Sequence, residues 1–249
     1  MPIRCELFSC LPMNKVKLHT LWLLGMLFLM TACGDDDDYY YPSVKLEFVT
    51  VKAGADGLIQ SLLPDKGELL TVARDRTGST ISPNSARRVI SNYEVNPEDA
   101  TAVIYSLQSV VAPEPKGADD PAFEGGLKYD PVDVTSIWLG RDYLNMILNV
   151  KININSGKQH VFGMIEESVE AEGDETVVTL SLFHDANGDE ENYNRRAYIS
   201  VPLTKYVDEE NPHQTIRIKF KYHTTDKSGV VVESSKYCDP GFEYVPDGN

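Results

Sequence analysis

In the stretch "TIRIKFKY" (215–222) every second residue is apolar: Ile216, Ile218, Phe220 and Tyr222 alternate with Arg217, Lys219 and Lys221. A strict period of two puts the apolar set on one face of an extended chain and the charged set on the other. The same period runs through "NVKININ" (149–155), where Val150, Ile152 and Ile154 share a face, and through "VVTLSLF" (177–183) and "AYISVPLTK" (197–205). One buried face and one wetted face is the pattern of antiparallel sheets packed as a sandwich. No run of ten residues after residue 43 carries a helical period; "NPEDA" (96–100) suffices for one turn at most. The chain is therefore expected to be all-β.

The first half reads as five strands: "VKLEFVTVKA" (44–53), "LIQSLLP" (58–64), "ELLTVA" (68–73), "RRVISNYEV" (87–95) and "TAVIYSLQSVV" (101–111). In the first of these the apolar phase changes between Phe48 and Val49, which suggests a bulge. Five strands fit an OB-type barrel. A Pro-, Gly- and Asp-rich segment, "APEPKGADDPAFEGG" (112–126), marks the boundary between two domains. The expected organisation is a barrel over 44–117, a linker over 118–131, a sandwich over 132–236 and a C-terminal tail over 237–249. Short polar turns between strands favour meanders and Greek keys over βαβ units.

Residues 13–33, "MNKVKLHTLWLLGMLFLMTAC", have the layout of an export signal: Lys15 and Lys17, an apolar core over 21–30, then Thr31 and Ala32 before Cys33. The apolar core is shorter than the roughly 20 residues that span a bilayer, so a transmembrane anchor is the weaker reading. The junction "MTAC" resembles the lipobox of bacterial lipoproteins. That resemblance implies cleavage after residue 32, a diacylglyceryl group on the Cys33 thiol and acylation of its amino group. Several acyl chains make a stable anchor where one is marginal. An ordinary cleaved signal with an incidental cysteine is the competing reading. Residues 1–12 fit no part of the signal, and Met13 is a plausible start. Cys5 and Cys10 leave with the signal, so only Cys33 and Cys238 stay in the exported chain.

Asp35, Asp36, Asp37 and Asp38 follow Cys33 within a tether over 33–43. Four consecutive carboxylates suit a solvated acidic spacer better than a calcium site, which needs six to eight converging oxygens. "CGDDDD" is also similar to the acidic export signal of surface lipoproteins in some anaerobic Gram-negative bacteria. On that resemblance the protein sits on the outer membrane, facing the cell exterior.

The residues "DPVDVTSIWLGRDYLNMILNVKI" (130–152) resemble the opening of the second domain of NigD-like lipoproteins: a Trp-containing strand, a Gly turn, then "DYLN" entering a long strand. The barrel half, with "VKLEFVTVKAGADGLIQSLLPDKGELLTV" and "RVISNYEV", is similar to that family's first domain. The resemblance implies an OB-type barrel followed by a β-sandwich, and no catalytic residues. An immunity role is suggested for the family from its bacteriocin gene neighbourhood. In "DYLN", Tyr143 and Leu144 read as core, and Asp142 and Asn145 as turn or hydrogen-bonding residues.

A search for chemistry returns little. His160, His184, His213 and His223 show no metal-ligand spacing, although His160 and His184 are able to meet across strands. "DANGDEEN" (185–192) begins like a calcium loop but places Glu190 where Gly belongs and Arg196 where the bidentate Glu belongs. Asn187-Gly188 reads instead as a hairpin turn between "VVTLSLF" and "RRAYISV". There is no GxSxG elbow. "NSGK" (155–158) lacks the first glycine and the helix of a P-loop. Carboxylates are plentiful, but nothing marks two of them as a glycosidase pair. Cys238 has no base beside it. Neither a cofactor nor a metal is called for.

The net charge of −15 and the absence of a basic stripe argue against a nucleic-acid partner, because an OB groove for single strands needs a positive track with stacking aromatics. The expected function is that of a non-enzymatic surface lipoprotein that binds a protein, peptide or glycan. The alternatives are a secreted hydrolase using two carboxylates and a structural component of an envelope complex.

Overall fold

A computed structural model describes residues 44–173, 175–189, 193–211 and 213–246. The signal, Cys33 and the four aspartates Asp35, Asp36, Asp37 and Asp38 lie outside the described residues. Everything described belongs to one compact unit, Ser43–Asn249.

Five strands form the barrel: β1 (Val44–Ala53), β2 (Ile59–Pro64), β3 (Leu70–Asp75), β4 (Ala86–Asn96) and β5 (Thr101–Ser109). They close in the order β1-β2-β3-β5-β4, with β3 and β5 parallel and the other pairs antiparallel. Closure removes the exposed sheet edges. Val49, Val51, Leu62 and Ile104 fill the interior. Tyr93 is enclosed with them, and its hydroxyl donates to Glu47 Oε2 at 2.8 Å.

The phase change in β1 is not a bulge. Its pairing with β4 runs unbroken from Val44 to Lys52, and the register shifts against β2 only between Lys52 and Ala53. Phe48 and Val49 are both buried because β1 is covered on both faces. Val49 points into the barrel core, whereas Phe48 lies outside it and packs with Trp138, Ile147 and Tyr198 of the second half.

Eight further strands form the sandwich: β6 (Pro115–Gly117), β7 (Asp133–Gly140), β8 (Tyr143–Ile152), β9 (Val161–Glu172), β10 (Glu175–Asp185), β11 (Tyr193–Pro202), β12 (Ile216–Thr225) and β13 (Val231–Tyr244). One sheet has the order β13-β12-β10-β9-β6, the other β11-β8-β7. The β10–β12 and β6–β9 pairs are parallel, which the meander reading did not anticipate. Strand β12 buries Ile216, Ile218, Phe220 and Tyr222, as its alternation requires. These meet Leu144, Met146, Leu148, Val178, Leu180 and Ile199 in a single core. Each side chain of this size, fully buried, is worth about 1.5–3 kcal/mol.

Four sequence expectations need correction. Residues 115–117, assigned to the barrel, form β6 and pair with Met164, Ile165 and Glu166 of the sandwich. The segment 118–131 is more than a linker: Phe123 is buried against Ile165 and Phe183. The tail from 237 continues β13 to Tyr244, which pairs with Ile216. Two register shifts along β13 erase the alternation that would have announced it. Finally, β8 ends at Ile152, so Ile154 sits in a turn and is exposed.

Candidate functional site

The barrel and the sandwich are joined by a buried polar node. Arg88 lies on the outer face of β4, opposite Thr50 of β1, and is 5% exposed. Its Nη2 pairs with Asp65 Oδ1 and also donates to Asn145 Oδ1 at 3.2 Å. Its Nε donates to Ser200 Oγ at 2.9 Å, and its Nη1 reaches Thr50 Oγ1 at 3.4 Å. The Ser200 hydroxyl donates to Asn145 Oδ1 at 2.6 Å, and Asn145 Nδ2 donates to Asp65 Oδ2 at 2.7 Å. The Tyr143 ring covers the guanidinium, with its centroid 4.2 Å from Cζ. A charge removed from water is tolerated only when its donors find acceptors, and here Arg88 draws them from both halves of the molecule.

The turns on either side hold this node in place. Gly140 ends β7 with no room for a side chain: a Cβ there would lie 2.1 Å from Asp65 Oδ2 and 2.5 Å from Asn145 Nδ2. Arg141, in the left-handed region at φ 45°, sends its guanidinium to the carbonyls of Pro64 and Gly67 at 3.3 and 2.7 Å. Asp142 Oδ1 accepts from Tyr244 OH at 2.9 Å. The "LGRDYLN" stretch thus works as a clasp. Leu144 is core, as its sequence position suggests, whereas Tyr143 serves as a lid on Arg88.

Two depressions open along the junction. The smaller, about 360 Å³, has apolar walls of Phe48, Ile90, Trp138 and Tyr198, with Glu47, Lys66 and Arg196 among its polar residues. The larger, about 820 Å³, runs between the end of β5 at Gln108 and Ser109, the edge of β11, and the open end of the sandwich at Val150, Ile152 and Phe162. Gln108, Arg196 and Tyr198 border both, so the two form one continuous groove. Each part by itself has a volume in the range of ligand sites. Lys158, His160, Arg195 and Arg196 line the larger part, and no Asp or Glu among the described residues does.

His160 and His184 do meet, as the sequence allowed. His184 Nδ1 lies 2.9 Å from the Asp130 carbonyl, which only accepts, so this nitrogen carries a proton. Its Nε2 is then the acceptor for His160 Nδ1 at 2.9 Å. His160 Nε2 turns to Asp189 Oδ2 at 3.3 Å, which also accepts from the Asn153 amide at 2.9 Å. Phe162 stacks flat on His184, with centroids 4.6 Å apart. Burial pushes the His184 pKa below its ordinary value. Hydrogen bonds from the Ser156 hydroxyl and the Asn153 amide, helped by His160, hold Asp189 below the usual carboxylate range. No cluster of three or more metal-ligating side chains occurs among the described residues. The histidine pair braces the groove wall.

Asn187 and Gly188 adopt positive φ of 52° and 62°, and the Asp189 amide donates to the Ala186 carbonyl at 2.9 Å. The expected tight turn is present, but the expected hairpin is not. Strand β10 belongs to the larger sheet and β11 to the smaller, where β11 pairs with β8. The turn starts a crossing between sheets, and Asn187 Nδ2 ties it to the Gln159 carbonyl. Cys238 lies half-buried on β13, its thiol 3.5 Å from the Phe220 carbonyl, and burial raises its pKa. His223 packs against Tyr129 with the rings tilted by 34° and their centroids 4.5 Å apart. Sequence reasoning missed Arg88 altogether and met Arg196 only as the residue standing where a calcium loop needs Glu. Adjacent apolar residues Val89 and Ile90 on β4 were the available sign that both faces of that strand are covered.

Comparison with known proteins agrees with this architecture. The NigD-like N-terminal OB domain matches residues 48–110, and the NigD-like C-terminal beta sandwich domain matches residues 116–233. No curated protein matches the chain. The crystal structure of a NigD-like immunity protein from Bacteroides caccae ATCC 43185 is 69% identical, with a TM-score of 0.75, covering 84% of this chain and 100% of that one. A protein of unknown function from Bacteroides vulgatus ATCC 8482, 17% identical with a TM-score of 0.58, covers 83% of this chain and 96% of that one, and shares the fold alone. With both halves matched in order and 69% identity to a NigD-like protein over 84% of its length, the chain belongs to the NigD-like family.

Proposed function

We propose that the protein is a lipid-anchored immunity-type lipoprotein of the outer cell surface, which acts by binding a polypeptide partner rather than by catalysis. The observation that carries this reading is the junction groove. Its walls are strands held by the Arg88 node, and its larger part, about 820 Å³, carries cations and apolar side chains. The relative from B. caccae bears the name of an immunity protein, and such a role calls for a protein partner. The anchor and address rest on Cys33 and on Asp35, Asp36, Asp37 and Asp38.

The hydrolase alternative needs two free carboxyl groups in a cleft, one of them raised in pKa. Glu47 and Asp65 line the smaller depression. Asp65 is engaged by Arg88 and Asn145, and Glu47 by the Tyr93 hydroxyl. Among the described residues the carboxyl groups with displaced pKa values, Asp120, Glu166, Glu175 and Asp189, all lie below the ordinary range.

Deletion of the gene tests the immunity role: the deleted strain becomes sensitive to toxins of sibling strains, and re-expression restores resistance. Unchanged sensitivity overturns it. Surface proteolysis of intact cells tests the address: the wild-type protein is digested, and a chain with all four aspartates replaced by alanine is protected.

A further inference from the structure

We propose that the larger part of the groove receives an extended, acidic polypeptide segment, which adds as a strand to the free edge of β11. This deepens the binding role proposed above and rests on it.

The edge is visible in the pairing. Strand β11 is bound to β8 on one side along its whole length, with no register shift, and stands last in its sheet. On its other side, among the described residues, a single residue pairs with it: the Val111 amide donates to the Tyr198 carbonyl, and the Val111 carbonyl accepts from the Ser200 amide, both at 2.9 Å. Backbone groups alternate in direction along a strand. Since those of Tyr198 and Ser200 face outward, those of Arg196 and Asn194 do as well. Strand β5 ends at Ser109 and is not paired with β11, so among the described residues no strand covers the outward side of residues 193–197, which border the groove. This stretch is about 17 Å long at the usual rise per residue, enough for four or five residues of an added strand. Chain segments commonly bind exposed edges this way, gaining affinity from main-chain hydrogen bonds and specificity from alternate side chains.

The chemistry of the occupant follows from the flanking side chains. Arg195 and Arg196, adjacent on a strand, project to opposite faces, so a cation stands on each side of an added strand. Lys158 and His160 line the same space. Val150, Ile152 and Phe162 provide an apolar floor for every second residue of the incoming segment. Such a cationic lining is unusual in a chain of net charge −15. Glu190 and Glu191 precede β11 and lie outside the described residues, so the test compares probes of opposite charge.

The probes are a labelled, end-capped octapeptide of alternating Glu and Val, its Lys-Val counterpart, and a Glu-Val version N-methylated at every amide. Fluorescence anisotropy with the full chain reads binding. The Glu-Val peptide binds, the Lys-Val peptide binds at least tenfold more weakly, and the methylated peptide does not bind. Asn194→Pro removes one outward amide while leaving both arginines and the β8 side intact, since proline is tolerated at an edge position. It lowers affinity at least tenfold, as does Arg195→Glu with Arg196→Glu. If a variant fails to fold, the three probes on the wild-type chain still decide. Equal binding of the two charges, retention of the methylated probe, or no binding by any peptide overturns the proposal. So does a dimer in sedimentation that Asn194→Pro dissolves, which would make a second copy the occupant. The deletion strain is read separately, so failure here is distinguishable from failure of the immunity role.

Discussion

Asn145 and Asp65 meet across the barrel–sandwich junction, Nδ2 donating to Oδ2 at 2.7 Å, and Gly140 has no space for a side chain beside them. The two halves therefore touch through an interlocked pair of turns, one from each sheet system. The glycine in the "LGRDYLN" stretch exists for this close approach, since Gly140 is not among the glycines with positive φ.

Gly140→Ala is accordingly expected to lose about 1–3 kcal/mol, the usual cost of forcing an extra carbon into a packed site. Urea denaturation measures it. A midpoint equal to that of the wild type would show that Asp65 moves aside freely.

Asp65→Ala leaves the Arg88 guanidinium buried without its counter-charge. Removing one partner of a buried pair costs about 3–5 kcal/mol, whereas replacing both with apolar residues is often neutral. Asp65→Leu with Arg88→Met is therefore more stable than Asp65→Ala alone. If the double variant is the weaker of the two, the node contributes through its wider hydrogen bonds rather than through the pair.

Phe48→Ala and Leu46→Ala differ by two positions on one strand and share a face. Phe48 is buried against Trp138 and Tyr198, with centroids 5.3 and 6.2 Å away, and its truncation is expected to cost about 3–5 kcal/mol. Leu46 is 70% exposed, and its truncation stays within about 0.5 kcal/mol. Similar losses for the two would contradict the covered outer face of β1.

Acid should destabilise the protein through His184. Burial depresses its pKa, with His160 adding to the effect and the Asp130 and Asp185 groups opposing it. Below about pH 6.5 the unfolded chain takes up a proton there that the folded chain refuses, so stability falls as the pH falls. The slope from this group is at most about 1.4 kcal/mol per pH unit. His184→Asn, which keeps a donor for the Asp130 carbonyl, flattens the slope between about pH 6.5 and 5. Asp189 and Glu166 titrate lower, because both carboxyl groups are held below their ordinary values. An unchanged slope in the variant would place the proton uptake elsewhere.

The groove was only partly legible. His160 and His184 were candidates for contact because both stood near strands of the same half, and they do touch. Arg196 entered the sequence reading only as a misfit in a calcium loop. Its position at the mouth of the groove depends on β11 crossing to the smaller sheet after the Asn187-Gly188 turn. That turn looks identical in sequence whether the next strand folds back or crosses over.

Alternation and turn residues by themselves determined the all-β class, the five barrel strands and four of the eight sandwich strands, β8, β10, β11 and β12, because a period of two is a local property of an extended chain with one dry face. The tertiary structure alone decided what covers the second face. Phe48 and Arg88 are buried only because the sandwich docks on the barrel, and β13 reads as strand only once its shifted pairing with β12 is seen. Burial by a distant segment leaves no periodic trace in the strand it covers, and neither does an edge left open for a partner.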